Sequence, residues 1–190
     1  DIPRIPVYVD SPLAINVTDV FRQHSECFDK ETRDFMRNDI HGAALGFDLL
    51  SYTRSVAESK AINDSDEPAV IISASGMAET GRILHHLRNN IENPANTILI
   101  TSWMAPHTLG RRLLEGIKEV KIFGEKHSVR AEVARINGLS AHAGRDFLME
   151  YALNVKDSVK GVFLVHGEER AATALKEGLQ EAGLQNIHYP

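Results

Sequence analysis

The sequence predicts an α/β fold with a mostly parallel sheet. Three short apolar runs, each bounded by polar residues, have the length and continuous hydrophobicity of strands that are buried in a parallel sheet. They are residues 69–73, 97–101 and 161–165. Segments with helical spacing lie between these runs, and an alternation of strands and helices is typical of α/β proteins.

The first third of the chain predicts a strand, a capped helix and a second strand–helix pair. Residues 5–9 are β-rich, and Ser11 with Pro12 is a typical helix start. The helix is expected to end near Phe28, with an inner face formed by Leu13, Val17, Val20, Phe21 and Cys27. A short helix near residues 32–37 and a strand at 49–53 follow. Ser55 and Glu58 then have the spacing of a capping box for a helix at 55–63.

The rest of the chain continues the alternation. Helices are expected at about 78–91 and 108–116, after the first two buried strands, and another strand at 120–123. Alternating apolar residues from 127 to 137 predict a half-exposed antiparallel ribbon. Helices at 145–152 and 168–182, separated by the third buried strand, and a closing strand at 186–189 complete the order.

Composition excludes several classes of protein. Of the 190 residues, 43% are hydrophobic and 25% charged, which is typical of a globular domain. The single cysteine, Cys27, excludes an internal disulfide and a cysteine-built zinc site, and it fits a reducing cytoplasm. No apolar run has the length of a membrane span. The net charge of −5 argues against a generally cationic surface for nucleic acid.

A turn of small residues follows the first buried strand. Free backbone N–H groups at a helix start, with Gly76 permitting close approach, would make Ser75 and Gly76 an anion pocket suited to a phosphate. It is not a P-loop, since no Gly-Lys-Ser/Thr follows. Small residues in such a turn more often serve tight packing, so both interpretations stay open.

Two histidines stand at junctions between a strand and a helix. His142 lies in the stretch 138–144, and His166 lies in Val-His-Gly-Glu at 165–168. Imidazole suits acid–base catalysis near neutral pH and also binds zinc. Two histidines do not form a catalytic zinc site, which normally needs three protein ligands and a water. The residues alone therefore leave the use of this pair open.

The motifs together resemble the β-CASP nucleases, a branch of the metallo-β-lactamase superfamily. The resemblance covers nearly the whole chain, and its motifs occur in the family's order. They are residues 9–14 (VDSPLA), 73–77 (SASGM), 108–116 (TLGRRLLEG), 140–143 (SAHA) and 165–168 (VHGE). The resemblance implies that residues 1–135 are most of a β-CASP cap. Residues 136–190 would be the C-terminal closing segment of the αββα metallo-β-lactamase domain.

The resemblance also implies roles for individual residues. His142 corresponds to the family's histidine beside the scissile phosphate, and His166 corresponds to a ligand of one of two Zn²⁺ ions. RNA, expected to be single-stranded, would lie between cap and catalytic domain and contact Ser75, Gly76 and Ser140. A cytoplasmic ribonuclease that hydrolyses RNA phosphodiester bonds is the implied function.

Several features depart from the family pattern. Gly144 stands where the family usually has an aspartate that can orient the histidine, and Ser102 where it often has glycine. The His-x-His-x-Asp-His motif is absent from the chain, which begins at Asp1. We therefore expect a fragment that lacks the N-terminal metallo-β-lactamase part and is inactive alone. The exposed apolar surface expected on residues 136–190 can drive homodimerisation.

Two alternative functions remain open from the sequence. The first is a catalytically dead homologue that binds RNA or scaffolds a complex, for which Gly144 is the best support. The second is an unrelated α/β enzyme that binds a phosphorylated small molecule at Ser75 and Gly76.

Overall fold

Parallel strand pairs dominate the fold, as the sequence predicts. The computed structural model describes residues 3–38, 46–139 and 142–189, and the chain divides into two units, Asp1–Leu139 and Ser140–Pro190. The strands of the first unit are β1 (Val7–Asp10), β2 (Leu50–Tyr52), β3 (Val70–Ser73), β4 (Thr97–Ile100), β5 (Glu119–Ile122), β6 (Glu125–Ser128) and β7 (Glu132–Arg135). Its helices are α1 (Pro12–Gln23), α2 (Lys30–Asn38), α3 (Val56–Asn63), α4 (Ile83–Asn90) and α5 (Leu109–Leu114), with a 3₁₀ turn at Ser25–Cys27.

Strand β1 is the centre of a three-stranded parallel sheet in the order β2-β1-β3. Val7 is paired with Leu50 on one side and with Val70 on the other. Strands β4 and β7 pair in parallel, and β5 and β6 form an antiparallel hairpin. The predicted antiparallel ribbon at 127–137 is therefore wrong in its second half. Alternating hydrophobicity indicates one exposed face of a strand and does not report strand direction.

Local capping signals in the sequence are confirmed. Ser11 caps α1 by accepting a hydrogen bond from the backbone N–H of Ala14 at 3.3 Å. The capping box of α3 is complete, since Ser55 accepts from the N–H of Glu58 and Glu58 accepts from the N–H of Ser55. These motifs act over three residues, so they depend little on the rest of the fold.

The expected inner face of α1 is wrong. Ile15 is its buried residue, with 1% of its surface exposed, whereas Leu13 is 73% exposed. The other apolar residues assigned to the inner face are exposed as well, namely Val17, Val20, Phe21 and Cys27. The apolar stripe is present in the sequence, but periodicity does not determine which stripe packs on the sheet.

The main core of the first unit lies between α4, α5 and β5. It is built from Ala78, Leu87, Ile91, Leu109, Leu113, Val120 and Ile122. By contrast, Val70 and Ile72 on β3 are exposed on alternate positions, so this strand has one uncovered face within the described residues. A continuous apolar run therefore did not mean burial on both faces here.

The second unit has two helices and a short parallel pair. Its elements are α6 (Arg145–Leu153), β8 (Val162–Phe163), α7 (Glu169–Glu181) and β9 (Ile187–His188), with β8 parallel to β9. The buried residues Leu179, Leu184 and Ile187 form its core. The apolar surface expected on this segment is present, since Phe147, Tyr151, Phe163 and Val165 are exposed.

Within the described ranges, no helix combines the length and the hydrophobicity that a membrane crossing requires.

Candidate functional site

The two histidines singled out in the sequence lie close together in the second unit. The ring centroids of His142 and His166 are 6.4 Å apart, and the ring planes are inclined by 30°. Both side chains are exposed. His142 lies just before α6, and His166 follows the end of β8. Two imidazoles at this separation are close enough to contact the same phosphate group, or two groups bound next to each other.

The backbone at His166 is held in an unusual conformation. Its φ of 62° lies in the left-handed region, which non-glycine residues rarely adopt and which is frequent at functional sites. The hydroxyl of Tyr189 donates to the carbonyl of Gly167 at 3.1 Å. On the other side, the N–H of Leu164 donates to the carbonyl of His188 at 2.8 Å. The loop that carries His166 is thus tied to the closing strand from both ends.

Gly144 occupies the N-cap of α6, two residues after His142. It provides no side-chain cap, and a Cβ added there would meet nothing within 4 Å. The carboxylate of Asp146, the acidic residue next in sequence, is fully exposed and lies 4.0 Å from Arg145. The position therefore has room for the aspartate that the family usually has. Ser140, an expected RNA contact, lies outside the described residues.

Gly144→Asp is expected to stabilise the chain by roughly 0.3–1 kcal/mol, because the new carboxylate can accept from the first turn of α6 and interact with the helix dipole. The free energy of unfolding in urea measures the effect. Gly138→Asp is the matched control, since this glycine also has open space but is not a helix cap. Equal changes in the two variants would contradict the capping argument.

Zinc is implied by the resemblance, and the described residues fit only part of a zinc centre. Among them, no three His, Cys, Asp or Glu side chains are grouped as a metal site requires. His166 is exposed and has the chemistry of a zinc ligand. Among the described residues, His166 therefore suits one ligand position of a zinc centre.

The turn at Ser75 and Gly76 differs from its prediction. Helix α4 begins at Ile83 and not near residue 78, so the turn is not a helix start. Instead, residues 74–82 form a closed loop, in which Ser75 N–H donates to the Thr80 carbonyl at 3.0 Å. Gly81 has a φ of 86°, and a Cβ there would lie 2.6 Å from the carbonyl oxygen of Ala74. Gly81 closes this loop, which the sequence pattern missed. The phosphate contact at Ser75 and Gly76 stays a prediction.

The structure also contains a buried polar cluster that the sequence did not predict. Asp10 is fully buried at the end of β1. Its carboxylate lies 2.5 Å from Nη1 of Arg82, 2.7 Å from Nε2 of His86 and 2.6 Å from the donating hydroxyl of Ser59. Nδ1 of His86 is 2.9 Å from the side-chain oxygen of Asn63. The cluster joins β1 to α3 and α4.

Burial raises the pKa of Asp10, but the hydrogen bonds from Ser59, His86, Arg82 and Thr53 together hold that pKa below its ordinary value. The carboxylate is therefore charged at neutral pH. The sequence contained one indication of this cluster. Arg82 and His86 are four residues apart, which is the spacing of neighbouring side chains on one face of a helix. The partner Asp10 could not be assigned because it lies far away in the chain.

Comparison with known proteins gives two family matches that cover most of the chain. The Beta-Casp domain family matches residues 1–113. The family described as a Zn-dependent metallo-hydrolase RNA specificity domain matches residues 126–190. The first match covers more than half of the sequence and contains the parallel sheet β2-β1-β3. The second contains His142 and His166.

Individual relatives are nucleases and termination factors. The chain is 33% identical over 175 residues to Ribonuclease TTHA0252 of Thermus thermophilus, covering 92% of this chain and 39% of that protein. It is 30% identical over 183 residues to the transcription termination factor FttA of Thermococcus kodakarensis, covering 94% and 28%. An RNase J-like protein of Methanocaldococcus jannaschii is 30% identical over 164 residues, covering 86% and 36%.

The chain spans less than two-fifths of the length of these curated relatives. The relatives match along nearly all of this chain, in agreement with the order of motifs in the sequence. The chain belongs to the β-CASP family of the metallo-β-lactamase superfamily, whose C-terminal portion it matches.

Proposed function

We propose that this chain is part of a zinc-dependent ribonuclease that hydrolyses phosphodiester bonds of single-stranded RNA. The observation that carries the proposal is the pair His142 and His166, with ring centroids 6.4 Å apart on two loops of the second unit. Membership of an RNA-processing nuclease family supports it. Family membership also removes the reason to consider an unrelated α/β enzyme for small phosphorylated molecules.

His142 would act on the phosphate. As an imidazolium it can stabilise the charge that develops on the phosphate oxygens, or donate its proton to the leaving oxygen. His166 would be one ligand of a centre of two zinc ions, and zinc supplies a bound water that is acidic enough to lose a proton near neutral pH. The tie between Tyr189 and Gly167 would keep the His166 loop in place.

The remaining ligands would come from a part of the same protein outside these 190 residues. The His-x-His-x-Asp-His motif is absent from the sequence of the chain. We therefore propose that the 190-residue chain alone does not hydrolyse RNA, although it carries residues that contact the substrate.

The test compares the longer protein with the 190-residue chain on an end-labelled single-stranded RNA. The longer protein should cleave it, lose activity after chelation and regain activity with Zn²⁺, while the chain alone should give no product. An oligonucleotide of the same sequence with a 2′-deoxy backbone serves as the substrate control. Cleavage that survives chelation, or equal rates for the two proteins, would refute the proposal.

A catalytically dead RNA-binding homologue is the second candidate, and Gly144 favours it because the usual orienting carboxylate is missing beside His142. This candidate predicts that the longer protein binds RNA and releases no product. A binding assay and the cleavage assay on the same labelled RNA together separate the two candidates.

A further inference from the structure

Asn137 and Gly138 lie just beyond the last anchored residue of the first unit's sheet strands. Strand β7 ends at Arg135, and the N–H of Ile136 still donates to the carbonyl of Ile100 at 2.9 Å. Within the described ranges, neither Asn137 nor Gly138 forms a hydrogen bond. Both residues are exposed. The side-chain amide of Asn137 and the backbone N–H of Gly138 therefore face water.

This pair of residues is suited to a reaction within the chain. The side-chain amide carbon of an asparagine can close a succinimide ring with the backbone nitrogen of the next residue. Glycine at that next position has no Cβ to hinder the approach, and it reaches backbone conformations that are closed to other residues. A Cβ built on Gly138 would meet nothing within 4 Å, so its surroundings leave room for the ring to close.

Asn137 differs in these respects from the other asparagines that the structure describes. It is the only asparagine in the sequence that is followed by glycine. Most of the others hold their side chains in hydrogen bonds, namely Asn63, Asn89, Asn90, Asn93, Asn96 and Asn186. Asn154 is exposed, but the residue after it is the β-branched Val155, whose N–H donates to the carbonyl of Ala152 at 3.4 Å.

We infer that Asn137 is a deamidation site, which converts with time to aspartate and isoaspartate through a succinimide formed with Gly138. The chain itself is the substrate, and water is the co-reactant. The inference does not depend on the proposed function, because it follows from the exposure and the free hydrogen-bonding groups of these two residues.

The reaction balances without an oxidant or a reductant. The backbone nitrogen of Gly138 gives its proton to hydroxide and attacks Cγ of Asn137. The new C–N bond closes the ring, and the bond from Cγ to the side-chain nitrogen breaks. That nitrogen takes a proton from water and leaves as ammonia. Water then opens the ring: opening at Cγ gives aspartate, and opening at the backbone carbonyl carbon gives isoaspartate, whose extra methylene lies in the main chain.

Both products change the segment that joins β7 to His142. Asn137 is five residues before His142 in the sequence. Either new carboxylate makes the net charge of the chain one unit more negative than −5. Isoaspartate in addition lengthens the main chain of this segment. Position 137 is thus a place where the chain alters its own covalent structure beside a candidate functional motif.

Incubation of the 190-residue chain in mildly alkaline buffer tests the inference, because hydroxide starts the reaction. Mass spectrometry of the digested chain should show progressive loss of the amide at position 137, while Asn154 keeps its amide. The folded chain and the chain unfolded in guanidinium chloride should react at similar rates at position 137, since the fold does not restrain this pair. Hydroxylamine, which attacks a succinimide, should cut the chain into residues 1–137 and 138–190.

Substitutions separate the chemistry of the sequence from the effect of the fold. Gly138→Ala should slow the loss of the amide by roughly 5-fold or more, since the greater backbone freedom of glycine alone accounts for about that factor. Val155→Gly is the matched control. It places a glycine after Asn154, whose backbone N–H donates to the carbonyl of Glu150 at 3.0 Å. In the folded variant, Asn154 should lose its amide more slowly than Asn137. Circular dichroism checks that both variants keep the fold.

Two results would overturn the inference. The first is a rate at position 137 that is slower in the folded than in the unfolded chain by about tenfold or more, which corresponds to a restraint of about 1.36 kcal/mol on ring closure. The second is equal rates at Asn137 and Asn154 in folded Val155→Gly, because glycine alone would then account for the reaction. None of these measurements uses RNA, so the proposed function stands or falls separately.

Discussion

Asp10→Ala is expected to lower the free energy of unfolding by about 3–5 kcal/mol, the effect of removing one partner from a buried ion pair. The substitution removes the carboxylate that both Arg82 and His86 contact, and His86 is itself buried. The hydroxyl of Ser59 loses its acceptor as well. Urea unfolding followed by circular dichroism measures the loss.

A surface ion pair of the same unit is the control. Asp19 lies 2.8 Å from Arg54, but both side chains are substantially exposed. Asp19→Ala should change stability by less than about 1 kcal/mol, because water screens exposed pairs. If the two alanine variants lose similar stability, the buried cluster does not hold the first unit together in the way described.

The same cluster predicts an acid dependence of stability. The pKa of Asp10 is lower in the folded chain than its ordinary value, because the four hydrogen-bond donors outweigh the effect of burial. Its contribution is therefore complete above the unfolded pKa, about 3.9 for aspartate, and is lost as pH falls through the folded value. The stability difference between the unsubstituted chain and Asp10→Ala should be constant near neutral pH and shrink in acid.

His142→Ala in the longer protein is expected to reduce RNA cleavage by about 10²- to 10⁴-fold, the usual contribution of a general acid, without loss of zinc. His166→Ala should instead reduce the zinc content and activity together. Initial rates and elemental analysis give both quantities. The reason for the difference is the proposed division of roles: one imidazole acts on the phosphate, and the other holds metal.

Two controls make this result specific. His188→Ala removes another exposed histidine of the second unit, which stacks on Phe163 at 5.0 Å, and should leave rates and zinc content unchanged. His166→Asn separates loss of the imidazole from backbone strain, because asparagine tolerates the left-handed conformation that His166 adopts. Normal zinc content in His166→Asn and His166→Ala would show that the metal assignment is wrong.

Local chemistry in the sequence predicted much of the fold. The caps at Ser11 and Ser55 are correct because each depends on neighbours within three residues. The start of α4 was missed because Gly81, in the left-handed region, closes a loop where helical spacing had suggested a first turn. Such a conformation depends on the approach of Ala74 to Gly81, which composition does not reveal.

Only those residues of the candidate site that belong to a recognisable sequence motif could be predicted. His142 and His166 were identified from their flanking residues, and the structure places them side by side. The Asp10 cluster was not identified, because its contacts join β1 to residues on α3 and α4 that are far away in the sequence.

The central place of β1 in the order β2-β1-β3 has a consequence for how the first unit is assembled. Strand β1 precedes both of its partners in the sequence, and β2 and β3 pair with it and not with each other. Each pairing closes a long loop, and such non-local contacts slow folding. Shortened forms of this chain should therefore keep Val7–Asp10, because removing an end of the sequence here would take out the middle of a sheet and not its edge.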